Sequence, residues 1–106
     1  MFNLLKNLFS APDRSELKEI MKNKPFLVDV RTREEFQGGS VKGAVNIPLN
    51  TVSKDLRRFA GKGNIVVFCR SGNRSSQAKI ILDQAGVSKV YNGGSLHNIQ
   101  NLLKQN

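Results

Sequence analysis

Cys69 is the only cysteine of the chain and lies where an apolar run gives way to a loop, in the segment VVFCRSGNRSSQAK. Four residues separate it from Arg74, with Gly72 between them and Ser75 opening a helix-like segment. If successive backbone N–H groups of this loop point inward, they form an anion-binding nest at the positive end of the helix. A cysteine at the rim of such a nest would be a thiolate at neutral pH, because helix N-termini and arginines lower a thiol's pKa. The loop therefore predicts a nucleophile.

The other loop residues suit an anionic substrate. Gly72 permits a backbone turn with positive φ and a close approach of the substrate. Arg70 and Arg74 can hold oxyanions by paired hydrogen bonds. We therefore expect the whole loop, which comprises Arg70, Ser71, Gly72, Asn73, Arg74 and Ser75, to bind the substrate around the sulfur of Cys69.

Two alternatives compete with this interpretation of the cysteine. Free cysteine is among the most buried residue types, so Cys69 could simply close the core at the end of the run NIVVF. Phosphatases and arsenate reductases use a related loop in which the spacing between cysteine and arginine is one residue longer. Here Ser75 occupies the position of that arginine, and Arg74 comes one residue early. The shorter loop favours a sulfur atom bonded to cysteine over a tetrahedral phosphoryl group.

Four short apolar runs, FLVDV, GAVNIP, NIVVF and KVYN, read as strands that alternate with helical patterns. Asp13 with Glu16 and Thr32 with Glu35 have the capping-box spacing that begins helices. Strands that alternate with helices through short loops form a mainly parallel sheet with helices on both faces. Sites in such α/β folds form at the carboxyl ends of strands, which is where Cys69 lies.

Apolar residues at helical spacing predict four of the helices. The residues that mark them are Leu17, Ile20 and Met21; Val52, Leu56, Phe59 and Ala60; Ala78, Ile81, Leu82 and Ala85; and Leu96, Ile99, Leu102 and Leu103. The third of these helices directly follows the cysteine loop. Its N-terminus is therefore the one expected to face the thiol.

The chain of 106 residues is long enough for one hydrophobic core, so we expect one domain over residues 13–106. Residues 1–12 are expected to form an extension, which could be a short amphipathic helix. One cysteine and one histidine support neither an internal disulfide nor a zinc site, so we expect a reduced, cytoplasmic protein without metal or cofactor. No segment of the sequence reaches the length of about 18 apolar residues that a membrane helix needs, so no stable membrane association is expected.

The formal charge of +9 raises the question of nucleic-acid binding. Residues 1–61 carry eleven bases and seven acids, and residues 62–106 carry six bases and one acid. The basic residues are thus spread along the chain, and no nucleic-acid motif accompanies them. The excess of basic over acidic residues in residues 62–106 favours a small anionic substrate near that part of the chain. Nucleic acid is not an expected partner.

The chain from about Asp13 onward resembles the rhodanese-like sulfurtransferase domains. FLVDVRTREEF is similar to the first strand and helix of that family, GAVNIPL to its second strand, VVFCRSGNRSSQA to its active-site loop, and VYNGG to its last strand and turn. The resemblance implies that Cys69 accepts the sulfur and that loop amides surround it. Asp29 and Arg31 match family positions beneath or beside the loop and are expected to support it. Ser40 replaces a histidine that many members have.

The resemblance also implies a reaction in two steps. The Cys69 thiolate would attack the outer sulfur of a donor such as thiosulfate, release sulfite and hold the sulfur as a persulfide until an external thiol or cyanide takes it. Since the chain has no second thiol, the acceptor has to be external. A sulfur-relay module that docks on a partner protein would carry the same loop, so this alternative stays open.

Overall fold

The computed structural model describes residues 13–105. The predicted extension over residues 1–12 therefore lies outside the described residues. The elements of the described chain are helix α1 (Arg14–Lys22), strand β1 (Phe26–Asp29), helix α2 (Arg33–Gln37), strand β2 (Val45–Asn46), two 3₁₀ helices (Leu49–Lys54 and Leu56–Phe59), strand β3 (Ile65–Cys69), helix α3 (Asn73–Gln84), strand β4 (Val90–Ser95) and helix α4 (Leu96–Gln105). Between residues 13 and 105, no helix has the length and apolarity needed to cross a membrane.

The four strands form one parallel sheet in the order β2-β1-β3-β4, which confirms the predicted α/β fold. Strand β3 lies inside the sheet, and all five of its residues are buried. Cys69 is its last residue and pairs with Ser95 of β4. The thiol is thus attached to the most enclosed strand, at its carboxyl end.

The pairing of β3 with β4 contains a β-bulge. Val67 pairs with Asn92 and Phe68 pairs with Gly94, so that Gly93 is an extra residue on β4. A bulge shifts the phase of all residues that follow it in the strand. Here the residues concerned are those of β4 that lie nearest to the cysteine loop.

Both faces of the sheet are covered, as the sequence predicted. The side chains of β3 alternate, with Val67 and Cys69 in one core cluster and with Val66 and Phe68 in the other. The first cluster also contains residues of α3 and of the 3₁₀ helices: Val52, Phe59, Ala78 and Leu82. The second contains residues of α1 and α4: Leu17, Ile20, Met21, Ile99 and Leu102. The α-helices α1 and α4 therefore oppose α3 across the sheet.

The single helix predicted around Val52 and Phe59 is wrong. Two 3₁₀ helices occupy this segment, and Asp55 between them has φ −114° and ψ 30°, which is outside the helical region. Backbone hydrogen bonds between residues three apart close both turns, from Thr51 N–H to Pro48 O at 2.8 Å and from Arg58 N–H to Asp55 O at 3.0 Å. Val52 and Phe59 are both buried despite the break. Apolar spacing alone does not distinguish two short 3₁₀ turns from one α-helix, because both bury one side of the segment.

The capping predictions are confirmed at the atomic level. The Asp13 carboxylate accepts a hydrogen bond from Glu16 N–H at 2.8 Å. Thr32 and Glu35 form a complete capping box at the start of α2. Glu35 is therefore fixed by its own helix terminus.

Gly93 lets α4 approach the sheet closely. A Cβ atom added at this position would lie 2.7 Å from Ile99 Cδ1 and 2.7 Å from Val66 Cγ1. Both neighbours belong to the buried core, so neither can move without displacing other packed side chains. Only a glycine fits this position of β4.

Gly93→Ala is therefore expected to lower the free energy of unfolding by about 1–3 kcal/mol, because overpacking strains a core. Urea unfolding of the variant measures the loss. Gly38→Ala is the matched control, since an added Cβ there has its nearest neighbour at 3.5 Å and Gly38 has an ordinary φ of −75°. The control should stay within about 0.5 kcal/mol of the original chain. Equal losses in the two variants would contradict the close approach at Gly93.

Candidate active site

Cys69 lies beneath the loop that follows it. Its side chain is fully buried, and its Sγ accepts hydrogen bonds from Gly72 N–H at 3.0 Å and from Ser75 N–H at 3.4 Å. The expectation of a thiol at the rim is wrong, because the residue still belongs to β3, both faces of which are covered. The cysteine combines both interpretations of the sequence: it packs in the core, and its sulfur faces the amides of the loop.

Gly72 provides the turn that brings these amides to the sulfur. It has φ 98° and ψ −10° and precedes the first residue of α3. A Cβ atom on it would lie 3.4 Å from Gly94 Cα, so the loop backbone runs close to β4. The left-handed conformation and the near contact both favour glycine. The predicted positive φ at this position is confirmed.

The surroundings of Cys69 favour its thiolate. Burial raises the pKa of the thiol, but hydrogen bonds from the hydroxyl and amide of Ser75 and from the amides of Ser71 and Gly72 outweigh it. The net effect holds the pKa of Cys69 below its ordinary value. Donors aimed at a charged sulfur act in this way because they stabilise the charged form. The thiolate is the nucleophilic form of cysteine, and a lowered pKa increases its fraction at neutral pH.

Ser75 and Asn92 form a buried polar pair next to the sulfur. Ser75 Oγ lies 3.5 Å from Cys69 Sγ and 2.7 Å from Asn92 Oδ1. Asn92 belongs to β4, and its Oδ1 also accepts a hydrogen bond from Gly94 N–H at 2.9 Å. Sequence reasoning gave Asn92 no role. The available signal was a single polar residue inside the apolar strand segment VYN, which is costly to bury unless it is hydrogen-bonded.

Asp29 and Arg31 form a buried ion pair beside the loop. Arg31 donates from Nε and Nη2 to the Asp29 carboxylate, with Nη2 to Oδ2 at 2.8 Å. Arg31 Nη2 also donates to Gly39 O at 2.7 Å, and Ser40 Oγ donates to Asp29 Oδ2 at 2.7 Å. The pair thus joins the end of β1 to the turn after α2. Its position is compatible with the supporting role expected of both residues.

Arg74 does not face the sulfur with free donors. Its guanidinium binds Glu35 of α2 with two hydrogen bonds, from Nη1 to Oε1 at 2.7 Å and from Nη2 to Oε2 at 3.0 Å. The Arg74 guanidinium, together with the Thr32 N–H, lowers the pKa of Glu35 to about 2. Sequence reasoning recognised Glu35 only as a helix cap. The structure shows that it also ties α2 to the first turn of α3.

The remaining loop residues are exposed at the surface. Arg70, Ser71 and Asn73 all point outward, and within residues 13–105 no carboxylate pairs with Arg70. Arg70 lines an open cleft of about 540 Å³, which Arg31 and Ser40 also line. Glu34 and Glu35 line the same cleft, so the guanidinium of Arg70 lies beside the loop together with carboxylates of α2.

Comparisons with known proteins identify the family. A family model described as the rhodanese-like domain matches residues 13–98. Thiosulfate sulfurtransferase PspE of Escherichia coli (strain K12) is 39% identical over 74 residues, which cover 68% of this chain and 71% of that protein.

Two solved structures have the same architecture. A rhodanese with anions from E. coli has 37% identity and a TM-score of 0.64, over 70% of this chain and 89% of that one. Reduced Bacillus anthracis CoADR-RHD has 28% identity and a TM-score of 0.75, over 97% of this chain and 18% of that one. The chain therefore belongs to the rhodanese-like domain family and is a rhodanese-like sulfurtransferase.

Proposed function

We propose that Cys69 carries the transferred sulfur as a persulfide. The observation that supports this most directly is a lone thiol whose Sγ accepts hydrogen bonds from two loop amides and whose pKa is lowered. The Cys69 thiolate attacks the outer sulfur of thiosulfate and forms a new S–S bond. The original S–S bond breaks, and sulfite leaves with its electron pair. Nucleophilic catalysis of this kind divides one transfer into two easier steps.

The second step returns the enzyme to its starting form. An external thiolate or cyanide attacks the outer sulfur of the persulfide, and the Cys69 thiolate leaves with the electron pair of the S–S bond. The amides of Gly72 and Ser75 stabilise the leaving sulfur as they stabilised the attacking one. A thiol acceptor suits a reducing compartment, and we propose the cytoplasm.

Thiosulfate is the proposed donor because the loop offers backbone amides and one guanidinium to a small anion. Arg70 is exposed beside the loop and lines the cleft described above. A doubly charged small anion would gain from this guanidinium. The name of the PspE relative refers to the same donor.

The sulfur reaction is favoured over phosphoryl transfer by the state of Arg74. In the phosphatase alternative this arginine would hold the oxygens of a phosphoryl group. Here both of its Nη atoms are hydrogen-bonded to Glu35. Sulfur transfer through a persulfide needs donors at the sulfur itself, and the loop supplies those from its backbone.

A relay role is the second candidate. The B. anthracis neighbour contains a domain of this fold within a much longer chain, since the match covers 18% of it. A sulfur carried on Cys69 could be delivered to a partner protein by the same second step. The loop chemistry is common to both candidates, which differ only in the acceptor.

Incubation with thiosulfate should add one sulfur atom to the protein, and a reductant should remove it. Intact-mass measurement follows the addition, and the same preparation should hydrolyse p-nitrophenyl phosphate negligibly. Cys69→Ser should show neither the added mass nor transfer to cyanide, with a melting temperature close to that of the original chain. Transfer that survives in the folded Cys69→Ser variant would overturn the persulfide mechanism.

Arg70→Ala should lower kcat/KM for thiosulfate on the order of tenfold, because a hydrogen bond to a charged group contributes about 1.5–3 kcal/mol. Its free energy of unfolding should stay within about 0.5 kcal/mol of the original chain, since the residue is exposed. Arg57→Ala, an exposed residue outside the cleft, is the matched control. Added salt should lower kcat/KM for thiosulfate more in the original chain than in Arg70→Ala, because salt screens the charge of Arg70. An equal loss of kcat/KM in Arg70→Ala and Arg57→Ala would refute a specific role for Arg70.

Glu35→Gln tests the ion pair that positions Arg74. The native pKa of Glu35 is about 2 and its ordinary value is 4.5, so the pair stabilises the fold above about pH 5. That contribution is lost as the pH falls from 4.5 through about 2. The original chain should therefore exceed Glu35→Gln by roughly 1 kcal/mol in free energy of unfolding at pH 7. The difference should shrink as the pH approaches about 2 and be lost below it.

Urea unfolding at a series of pH values measures this difference. Glu34→Gln is the control, because Glu34 is exposed on the same helix and makes no ion pair within residues 13–105. The control should follow the original chain across the series. A Glu35→Gln difference that persists unchanged to the lowest pH would show that the charge of Glu35 is not its cause.

A further inference from the structure

The hydroxyl of Ser75 has more neighbours than one hydrogen can serve. Its Oγ lies 2.7 Å from Asn92 Oδ1, 3.1 Å from Gly72 O and 3.5 Å from Cys69 Sγ. A serine hydroxyl has one hydrogen to donate and two lone pairs to accept. Ser75 is fully buried, so its hydrogen has to be shared among these protein atoms. Which of them receives it depends on the charge of the sulfur.

The orientation of the Asn92 amide follows from its other contacts. Gly94 N–H lies 2.9 Å from one amide atom of Asn92. A backbone N–H can only donate, so this atom is the oxygen. The amide nitrogen then points to the carbonyl of Gly72, at 3.4 Å. The same oxygen is the nearest neighbour of Ser75 Oγ, which makes Asn92 a strong acceptor for the Ser75 hydrogen.

These contacts give the hydroxyl two arrangements. Beside a neutral thiol, Ser75 donates to Asn92 and its lone pair accepts the S–H of Cys69. Beside a thiolate, the hydroxyl turns its hydrogen to the sulfur. Asn92 Oδ1 keeps the bond from Gly94 N–H in both cases, so the rotation leaves no buried acceptor without a partner. The rotation gives up the 2.7 Å hydrogen bond to Asn92 Oδ1, so it requires the charge on Sγ, to which a hydrogen bond is stronger than to a neutral acceptor.

We propose that Ser75 and Asn92 are a positioning pair for sulfur transfer. The Ser75 hydroxyl donates to Cys69 Sγ when this sulfur is negatively charged, and it donates to Asn92 Oδ1 when the sulfur is neutral. This inference rests on the proposed role of Cys69 as the sulfur acceptor. When the persulfide forms, the negative charge moves to the outer sulfur and the hydroxyl returns to Asn92. When the acceptor takes that sulfur, the charge returns to Sγ and the hydroxyl follows. No proton leaves Ser75.

The charged groups around the loop stay in place during this cycle. They are Arg74 with Glu35 from α2, the Asp29–Arg31 pair from the end of β1, and exposed Arg70. None of them contacts Asn92 or the hydroxyl of Ser75. Variants of the pair therefore change the sulfur's surroundings without removing these charges.

The test measures the rate at which iodoacetamide alkylates Cys69 as a function of pH. Cys69 is the only thiol, so the midpoint of the profile reports its ionisation, whereas burial affects the rate at every pH. Ser75→Ala should move the profile to higher pH and slow alkylation about tenfold on its acid side, because the thiolate loses a hydrogen bond. Asn92→Asp should move it in the same direction, since a carboxylate holds the Ser75 hydrogen more firmly and its charge opposes a thiolate. Ser76→Ala is the control, because that hydroxyl donates to Asn73 O at 2.8 Å.

The double variant decides whether Asn92 acts through Ser75. Ser75→Ala with Asn92→Asp should shift the profile by less than the sum of the single shifts, because the hydroxyl that links them is missing. Strictly additive shifts, or single variants that lose thermal stability while the profile stays unmoved, would overturn the pairing. If Asn92→Asp does not fold, Ser75→Ala alone decides, and an unmoved profile overturns the proposal. Shifted profiles in a protein that forms no persulfide would support the pairing and overturn the proposed function.

Discussion

The whole site depends on the placement of a sulfur that has to carry charge at the end of a fully buried strand. An ion away from water is costly unless hydrogen bonds compensate it. The amides of Gly72 and Ser75 supply that compensation, and both come from the turn that leads into α3. The conformation of Gly72 and the start of α3 follow from this requirement. The core and the proposed reactive centre are thus one packed unit, with Cys69 in both.

Further layers of polar contacts hold the loop in position. β4 contributes Asn92 behind the loop, and α2 contributes Glu35 in front of it. Among the described residues, no buried side-chain nitrogen or oxygen lacks a hydrogen-bond partner. Polar groups placed inside a core are favourable only under this condition. The loop is therefore held from two sides by neighbours that are themselves fixed.

Local patterns in the sequence predicted much of this arrangement. The capping box at Thr32, the strand that ends at Cys69 and the turn at Gly72 all depend on residues close together in the chain. The contacts of Arg74 with Glu35 and of Ser75 with Asn92 join segments that are distant in sequence, so they depend on strand order and on how the helices pack on the sheet. Burial of Cys69 was one alternative that the sequence offered, and it could not be combined with a reactive thiol from the sequence because it depends on how both sheet faces are covered. The 3₁₀ helices escaped because apolar spacing does not report turn geometry.

The bulge at Gly93 has a consequence for engineering. It shifts the register of β4 from Gly94 onward, where Gly94 lies against Gly72 of the loop and Ser95 pairs with Cys69. Grafting CRSGNRS alone onto another parallel sheet would transfer the thiol and the turn but not their support. A graft that keeps these contacts needs β3, α3, β4 and the first turn of α4, whose Asn98 donates to Gly93 O at 2.7 Å, together with Glu35 of α2. Modular exchange among folds of this class is thus limited by a neighbouring strand that contributes no reacting atom.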